Sequence, residues 1–248
     1  MRMFSSEFAH DYGSYTFAYG NYCERESGDT IAAIYRSGYL PYSGSQGVKN
    51  IFYMARSARV ALTDFTLSSE NRRISKKFDG QFHKQRIVFA DFNVDESFIS
   101  FCLAYFADKH GSVMPRERLQ DIMTAGIITH IVEYKKDERI VAYVLEARDG
   151  NIAHYWYSFY DLAYTQQSLG LWLMLDCVRD AHQDGLAYYY LGTVYGEKAL
   201  YKTSFEPLEW WDGESWNTGI AVLKDRSRSD SERSVERIDC WKKGHELY

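Results

Sequence analysis

The sequence predicts an α+β protein: a mixed β-sheet flanked by helices. Three observations carry that expectation. Residues 129–150 alternate as a strand pair about a tight turn. From Asn151 to Leu191 a largely apolar helical stretch lies between two strand-like runs. Finally, 46% hydrophobic and 17% aromatic residues suffice to fill a core in a chain of 248.

Residues 1–50 are rich in Tyr, Gly and Ser and contain GYLPYSGSQG (38–47), dense in turn formers. IFYMARSARVALTDF (51–65) alternates as a strand. Ser68 or Ser69 then caps a short basic helix, SSENRRISKKF. RIVFADF (86–92) reads as a strand, Asp95 to Lys109 as an amphipathic helix, and Met114 to Gly126 as a further helix. THIVEYKK and RIVAYVLEARDG form a hairpin about Asp137–Glu138, and NIAHYWYSFYD (151–161) is a third strand. Ser168 caps a buried helix that stops at Gly185, and LAYYYL (186–191) is a buried strand. A short helix follows Gly192 and carries Lys198, Tyr201, Lys202 and Phe205. This divides the chain into an N-terminal α+β part (1–85), a catalytic-type part (86–223) and a charged extension (224–248) with seven Lys/Arg against six acids.

The formal charge of −5 excludes a generally basic nucleic-acid coat but not a local patch. One such patch runs from Arg72 to Arg86, with six Lys/Arg against the single acid Asp79. It reads either as a solvated face or as a phosphate-facing surface. No run reaches the ~20 apolar residues of a membrane span, and the N-terminus lacks the apolar core of a secretory signal. Cys23, Cys102, Cys177 and Cys240 are far apart, with no CxxC pair, so reduced thiols in a cytoplasmic protein without metal are expected.

The strand–helix–strand unit puts the loop DLAYTQQSLG where a helix N-terminus can hold a negative group. A mixed sheet of this kind suits group transfer and is similar to the Gcn5-related N-acetyltransferase type. The acyl-CoA loop of that type has a Gln/Arg-x-x-Gly-x-Gly/Ala pattern. Here Gln167-Ser-Leu-Gly170-Leu-Trp172 keeps the first Gly, and Trp172 in place of the second small residue argues against ordinary CoA binding.

Phe159-Tyr160-Asp161, Ser168-Leu169-Gly170, Tyr190-Leu191-Gly192, and then Lys198, Tyr201-Lys202, Phe205 and Pro207 follow one another in a fixed order. That series resembles the carboxyl half of the arginyl/leucyl-tRNA–protein transferases, with Leu162 where Pro is usual. More faintly, GYLPYSG resembles the family's Gly-aromatic-Arg-Arg-Ser-Gly segment without its arginines. Arg59-Val60 to Phe65 and Ser68 to Arg73 resemble its Arg-Ile/Val…Ser-x-x-Gln-Arg-Arg stretch. The resemblance covers roughly residues 35–210. The family's cysteine-rich loop is missing, and with it the metal or iron–sulfur binding linked to that loop.

The resemblance implies aminoacyl transfer from a charged tRNA, the sole co-substrate, to the α-amine of a protein or peptide. It implies Asp161 as the group that orients or deprotonates the amine; an Asx cap on the following turn is the alternative. Lys198 and Lys202, four apart on one helical face, would grip the tRNA 3′ end, or else are solvated lysines. Tyr201 would stack on the terminal adenine or bond the ester. Arg72, Arg73, Lys76 and Lys77 would hold the acceptor stem. Gln167, Ser168 and Tyr190 join the binding set, with Gly170 and Gly192 as positions of close backbone approach. His154 reads as a core histidine. An acyl-CoA N-acyltransferase and a non-catalytic relative that binds tRNA or N-termini are the alternatives.

Overall fold

Two sheets build the fold of the computed structural model, which describes residues 1–13, 16–43, 49–110 and 115–230. The first is antiparallel and four-stranded: β1 (Arg2–Asp11), β2 (Thr16–Glu24), β3 (Tyr39–Pro41) and β4 (Ile51–Met54), in the order β1-β2-β4-β3. The short helix α1 (Ile31–Arg36) is capped by Thr30, whose Oγ1 accepts from the Ala33 amide at 3.1 Å.

The rest of the chain supplies β5 (Ser57–Ala61), α2 (Ser69–Phe78), β6 (His83–Val88), α3 (Glu96–His110), α4 (Arg116–Thr124), β7 (His130–Lys136), β8 (Arg139–Asp149) and β9 (Ile152–Tyr160). It continues with α5 (Leu169–Gln183), β10 (Tyr188–Thr193), β11 (Leu208–Trp211), β12 (Trp216–Asn217) and α6 (Ile220–Ser229). Short 3₁₀ helices cover Leu162–Gln167 and Glu197–Ser204. The eight strands run β12-β11-β5-β10-β9-β8-β7-β6, and only the β9/β10 pair is parallel. That pair is joined through α5, as a parallel connection requires.

Local chemistry accounts for the helix and turn assignments. Ser68 and Asn71 form a reciprocal capping box on α2, at 3.2 and 3.3 Å. Asp137 and Glu138 both take positive φ (49° and 63°), the backbone of a two-residue hairpin turn. The run from Ile51 to Ala61, which alternates as one strand, breaks at Ala55–Arg56 into β4 and β5, one in each sheet. The large sheet therefore does not follow the division at residue 85: β5 lies inside it, and α2 packs on α5. The extension from 224 begins as the end of α6, and residues 231–248, with Cys240, lie outside the described residues. Cys23, Cys102 and Cys177 are free and buried.

The main core lies between the large sheet and helices α2, α3 and α5, with Phe78, Phe98, Leu173, Cys177 and Phe159 at its centre. A second core joins α1 and the small sheet to the other face, where Ile34, Tyr35, Leu40 and Phe52 meet Ala147, Ile152 and Tyr190. The small sheet thus roofs one side of the β9/β10 pair while α5 covers the other. Gly38 secures this junction. Its φ is +82°, and a Cβ there would lie 2.1 Å from the indole of Trp211 on β11. Gly38→Ala is expected to cost about 2 kcal/mol or more, from overpacking and positive φ together, read as a lower midpoint in chemical denaturation.

Candidate functional site: a cleft at the parting of two strands

β9 and β10 pair through Tyr188 with Ile152, Tyr189 with Ala153, and Tyr190 with His154, and there the parallel ladder ends. Gly192 follows at φ +82°, beside a register shift against β5. β9 carries its own irregularity. Tyr155 faces Glu146 and Tyr157 faces Leu145, so Trp156 is an inserted residue. The extra residue reverses the alternation, which turns Tyr155, Ser158 and Tyr160 to the same side.

On that side opens a cleft of about 700 Å³, within the usual range for a ligand site. Tyr155, Ser158 and Tyr160 line it from β9, and Ser168, Gly170 and Leu171 from the start of α5. Tyr105 and Lys109 come from α3, Lys198 and Tyr201 from the 3₁₀ helix, and Glu70 from α2. The Tyr105 and Tyr160 rings meet edge to face at 5.0 Å, and Lys109 Nζ lies 6.0 Å from the centre of the Tyr160 ring. Ser168 holds the Ncap position of α5 in the left-handed region (φ 67°) and makes no side-chain cap. Its carbonyl takes the amides of Leu171 and Trp172, and its side chain is left to line the cleft. Gly170 is required by close approach, since a Cβ there would stand 3.0 Å from the Tyr160 ring. The positive end of α5, two lysines and four tyrosines thus converge on one space.

The structure redistributes the residues singled out in the sequence. Ser168, Gly170, Lys198 and Tyr201 meet in the cleft. Lys198 and Lys202 do not share a face, because the segment is a 3₁₀ helix with three residues per turn. Period three aligns Lys198 with Tyr201 on the cleft side and turns Lys202 inward, where Nζ donates to the Thr193 carbonyl at 2.7 Å. Desolvation there pulls the Lys202 ammonium down to about 8.

Asp161 accepts from the Ala163 amide at 2.9 Å, the Asx-cap geometry, and is absent from the cleft lining. Tyr190 is fully buried, its hydroxyl accepting from Arg59 Nη1 at 3.0 Å, which removes it from ligand contact. Gln167 is exposed outside the lining. Arg72, Arg73, Lys76 and Lys77 lie on the solvent face of α2, where Arg73 pairs with Glu70 at 2.6 Å and Arg72 donates to the Leu67 carbonyl.

Trp172 does not obstruct the cleft: its indole N–H donates to Asp79 at 2.8 Å, and the ring packs among Phe78, Phe82 and Tyr134. The objection to CoA drawn from its bulk therefore falls. Tyr105, Lys109, Tyr155 and Ser158 were not legible as site residues. Their segments carry ordinary helix and strand patterns, and only the strand bulge and the packing of α3 bring them together.

Comparison with known proteins adds to this geometry. Residues 86–203 match the acetyltransferase (GNAT) domain family. The chain is 31% identical over 174 residues to the aspartate/glutamate leucyltransferase of Hyphomonas neptunium, covering 65% of this chain and 67% of that protein. The chain belongs to the aspartate/glutamate leucyltransferase family. The enzyme of that name from Phenylobacterium zucineum is also 31% identical, over 64% of this chain and 66% of its own length. The chain thus spans about two thirds of the length of these relatives. Among solved structures it is similar to FemX (TM-score 0.44, 9% identity, 80% of this chain and 64% of that one). Another is L-PGS from Bacillus licheniformis (TM-score 0.42, 13% identity, 70% and 55%). No helix among the described residues is long and apolar enough to cross a membrane, and no group of metal-ligating side chains is found among them.

Proposed function

We propose that this protein transfers an aminoacyl group from a charged tRNA to the α-amine of a protein or peptide, in the cytoplasm, with aminoacyl-tRNA as its co-substrate. The observation that carries the reading is the cleft itself. Tyrosine rings at its walls suit stacking of a terminal base, and Lys109, Lys198 and the α5 N-terminus suit the phosphates of a 3′ end. Leucine, the amino acid in the relatives' name, is the first donor to try.

The chemistry asks little of the protein, because the donor is already an activated ester. The α-amine nitrogen attacks the ester carbonyl, a C–N bond forms, and the C–O bond to the ribose breaks. The ribose oxygen leaves as a hydroxyl, and the amine gives up one proton. Positioning lowers most of the barrier, and a nearby base takes the proton. Lys202 fits that base. It is the inward-facing amine beside the parted strands, and its Nζ lies 3.7 Å from where a Cβ on Gly192 would stand. Asp161 is a positioning residue in this scheme: it caps the 3₁₀ turn that delivers Ser168 to the cleft.

The test is binding and transfer with tRNA charged with labelled leucine. Tyr201→Ala is expected to raise the KM for charged tRNA by roughly 5- to 100-fold, the worth of one stacked base. Lys198→Ala should flatten the dependence of log Kd on log salt by about 0.7, one phosphate contact on a single strand. Tight binding of acetyl-CoA, with none of charged tRNA, would overturn the proposal in favour of an acyl-CoA N-acyltransferase.

A further inference from the structure

The parted strands open on both faces of the sheet. Opposite the tyrosine-lined cleft, beneath the small sheet, lies a second hollow of about 180 Å³. Gly192 and Thr193 line it from β10, His154 and Trp156 from β9, and Leu40, Ser43 and Tyr53 from the N-terminal lobe. Lys202 stands behind the same strand end. Its Nζ and His154 Nε2 are each 3.7 Å from the point a Cβ on Gly192 would occupy. The hollow thus borders the end of β10, with the inward lysine beside it, and β9 lends residues to both the hollow and the cleft.

We propose that this hollow receives the first side chain of the acceptor, and that it selects an uncharged side chain up to the size of an aromatic ring. This rests on the transferase reading above.

Size is the first argument. A cavity of about 150 Å³ takes up benzene, so the 180 Å³ of this hollow, walled by Ser43, Thr193, His154 and two tyrosines as well as by Leu40 and Pro41, has room for a leucine, methionine or phenylalanine side chain. Charge is the second. Among the described residues, no Asp, Glu, Lys or Arg lines the hollow. Its one imidazole, His154, is held down to about 3 by burial and by the charge of Lys202, and its Nδ1 is bonded to the Tyr35 hydroxyl at 2.8 Å. Burial raises the Tyr53 phenol to about 12, so that ring is neutral as well. Ser43 Oγ and the Tyr157 hydroxyl bond each other at 2.9 Å. Arg118, whose charge reaches the Tyr157 phenol, stands outside the lining.

Leu40 and Pro41 contribute apolar surface within GYLPYSG, the segment that resembles a family motif containing two arginines. A carboxylate seated here would lose its water, and the cation beside it, Lys202, stands behind the strand end with its ammonium already bonded to the Thr193 carbonyl at 2.7 Å. The relatives are named for aspartate and glutamate; the lining of this hollow points elsewhere.

The experiment offers the full-length protein bulk tRNA charged with a labelled amino-acid mixture. It is given a panel of peptides that differ only in a first residue of Phe, Tyr, Leu, Met, Asp, Glu, Lys or Arg. Mass spectrometry reads extension by one residue, and filter binding of the charged tRNA is measured separately. Extension of the Phe, Tyr, Leu or Met peptides at least tenfold faster than the Asp and Glu peptides is the expected result. Ser43→Arg, which puts a guanidinium at the hollow, should narrow or reverse that preference. Equal or faster extension of the acidic peptides overturns the pocket assignment and leaves the transferase reading intact. Bound charged tRNA with no peptide extended also overturns the pocket assignment. Failure to bind charged tRNA at all overturns the transferase reading, and the pocket assignment with it.

Discussion

Replacing Lys202 by methionine should lower the rate of aminoacyl transfer by about 10²- to 10⁴-fold, the span of a general base. The KM for charged tRNA should change by no more than about twofold, because Lys202 is not part of the tyrosine-lined cleft. A methionine keeps the length of the chain and removes a desolvated ammonium, so the folded protein should survive the change. Lys202→Arg should not restore the rate, since a guanidinium does not give up its proton in the working pH range.

The pH profile gives an independent readout. Lys202 is held near 8 by desolvation, and the free α-amine of the acceptor titrates at about 7.7–8.0. Both must be deprotonated, so well below pH 7 the logarithm of kcat/KM should climb with a slope of two. In Lys202→Met only the acceptor titrates and the slope should fall to one. A slope of two retained in the variant, or a full rate in Lys202→Arg, would sink the assignment. Stability follows the same group with a definite sign. Its folded pKa lies below the unfolded value of about 10.4, so the unfolded chain binds more protons between pH 8 and 10. The lysine's contribution to stability should rise across that window.

The second large effect is structural. Glu146 on β8 is fully buried, with Oε2 accepting from Arg86 at 3.1 Å and Arg148 at 2.7 Å, and Oε1 from the Tyr189 hydroxyl at 2.9 Å. The two arginines reach on to α5 and its C-cap, Arg86 to Asp180 at 2.9 Å and Arg148 to Asp184 at 2.6 Å. Lys84 on β6 adds bonds to Asp176 and Asp180. This network fastens the C-terminal half of α5 to the sheet, while the N-terminal end of the helix forms the cleft.

Glu146→Ala leaves two guanidinium groups partly buried without their shared carboxylate. The expected cost is about 3–5 kcal/mol, a fall of roughly 10 °C in Tm for a protein of this length. A loss below 1 kcal/mol would mean that water or a neighbouring carboxylate takes over. The hydrogen bonds from Arg179 and Arg148 hold the Asp79 and Asp184 carboxyls below their ordinary value. Their contribution is present above about pH 4, the unfolded carboxylate value, and is lost as the pH falls through the lower folded values.

Where a feature depends on near neighbours in the chain, it was legible before the structure. The Asp137–Glu138 turn, a serine cap at Ser68 or Ser69, the limits of α5 and the βαβ order rest on side-chain chemistry within a few residues or on simple periodicity. The resemblance carried by Ser168, Gly170, Gly192, Lys198 and Tyr201 was also visible, because it lies in residue identity and order. What those residues face was not. A 3₁₀ rather than an α-helical period sent Lys198 and Lys202 to different sides, and one inserted residue at Trp156 turned Ser158 and Tyr160 toward the cleft.

Tertiary packing decided the rest. It turned Trp172 into the core, bonded Tyr190 to Arg59 beneath the small sheet, and set Leu40, Ser43 and Tyr53 across from Gly192. By itself the sequence determined the elements, their order and the chemical groups available. Only the packed sheets decided which groups share a space, because that depends on register, bulges and burial between segments as much as 180 residues apart, as in the Trp216–Arg36 pair.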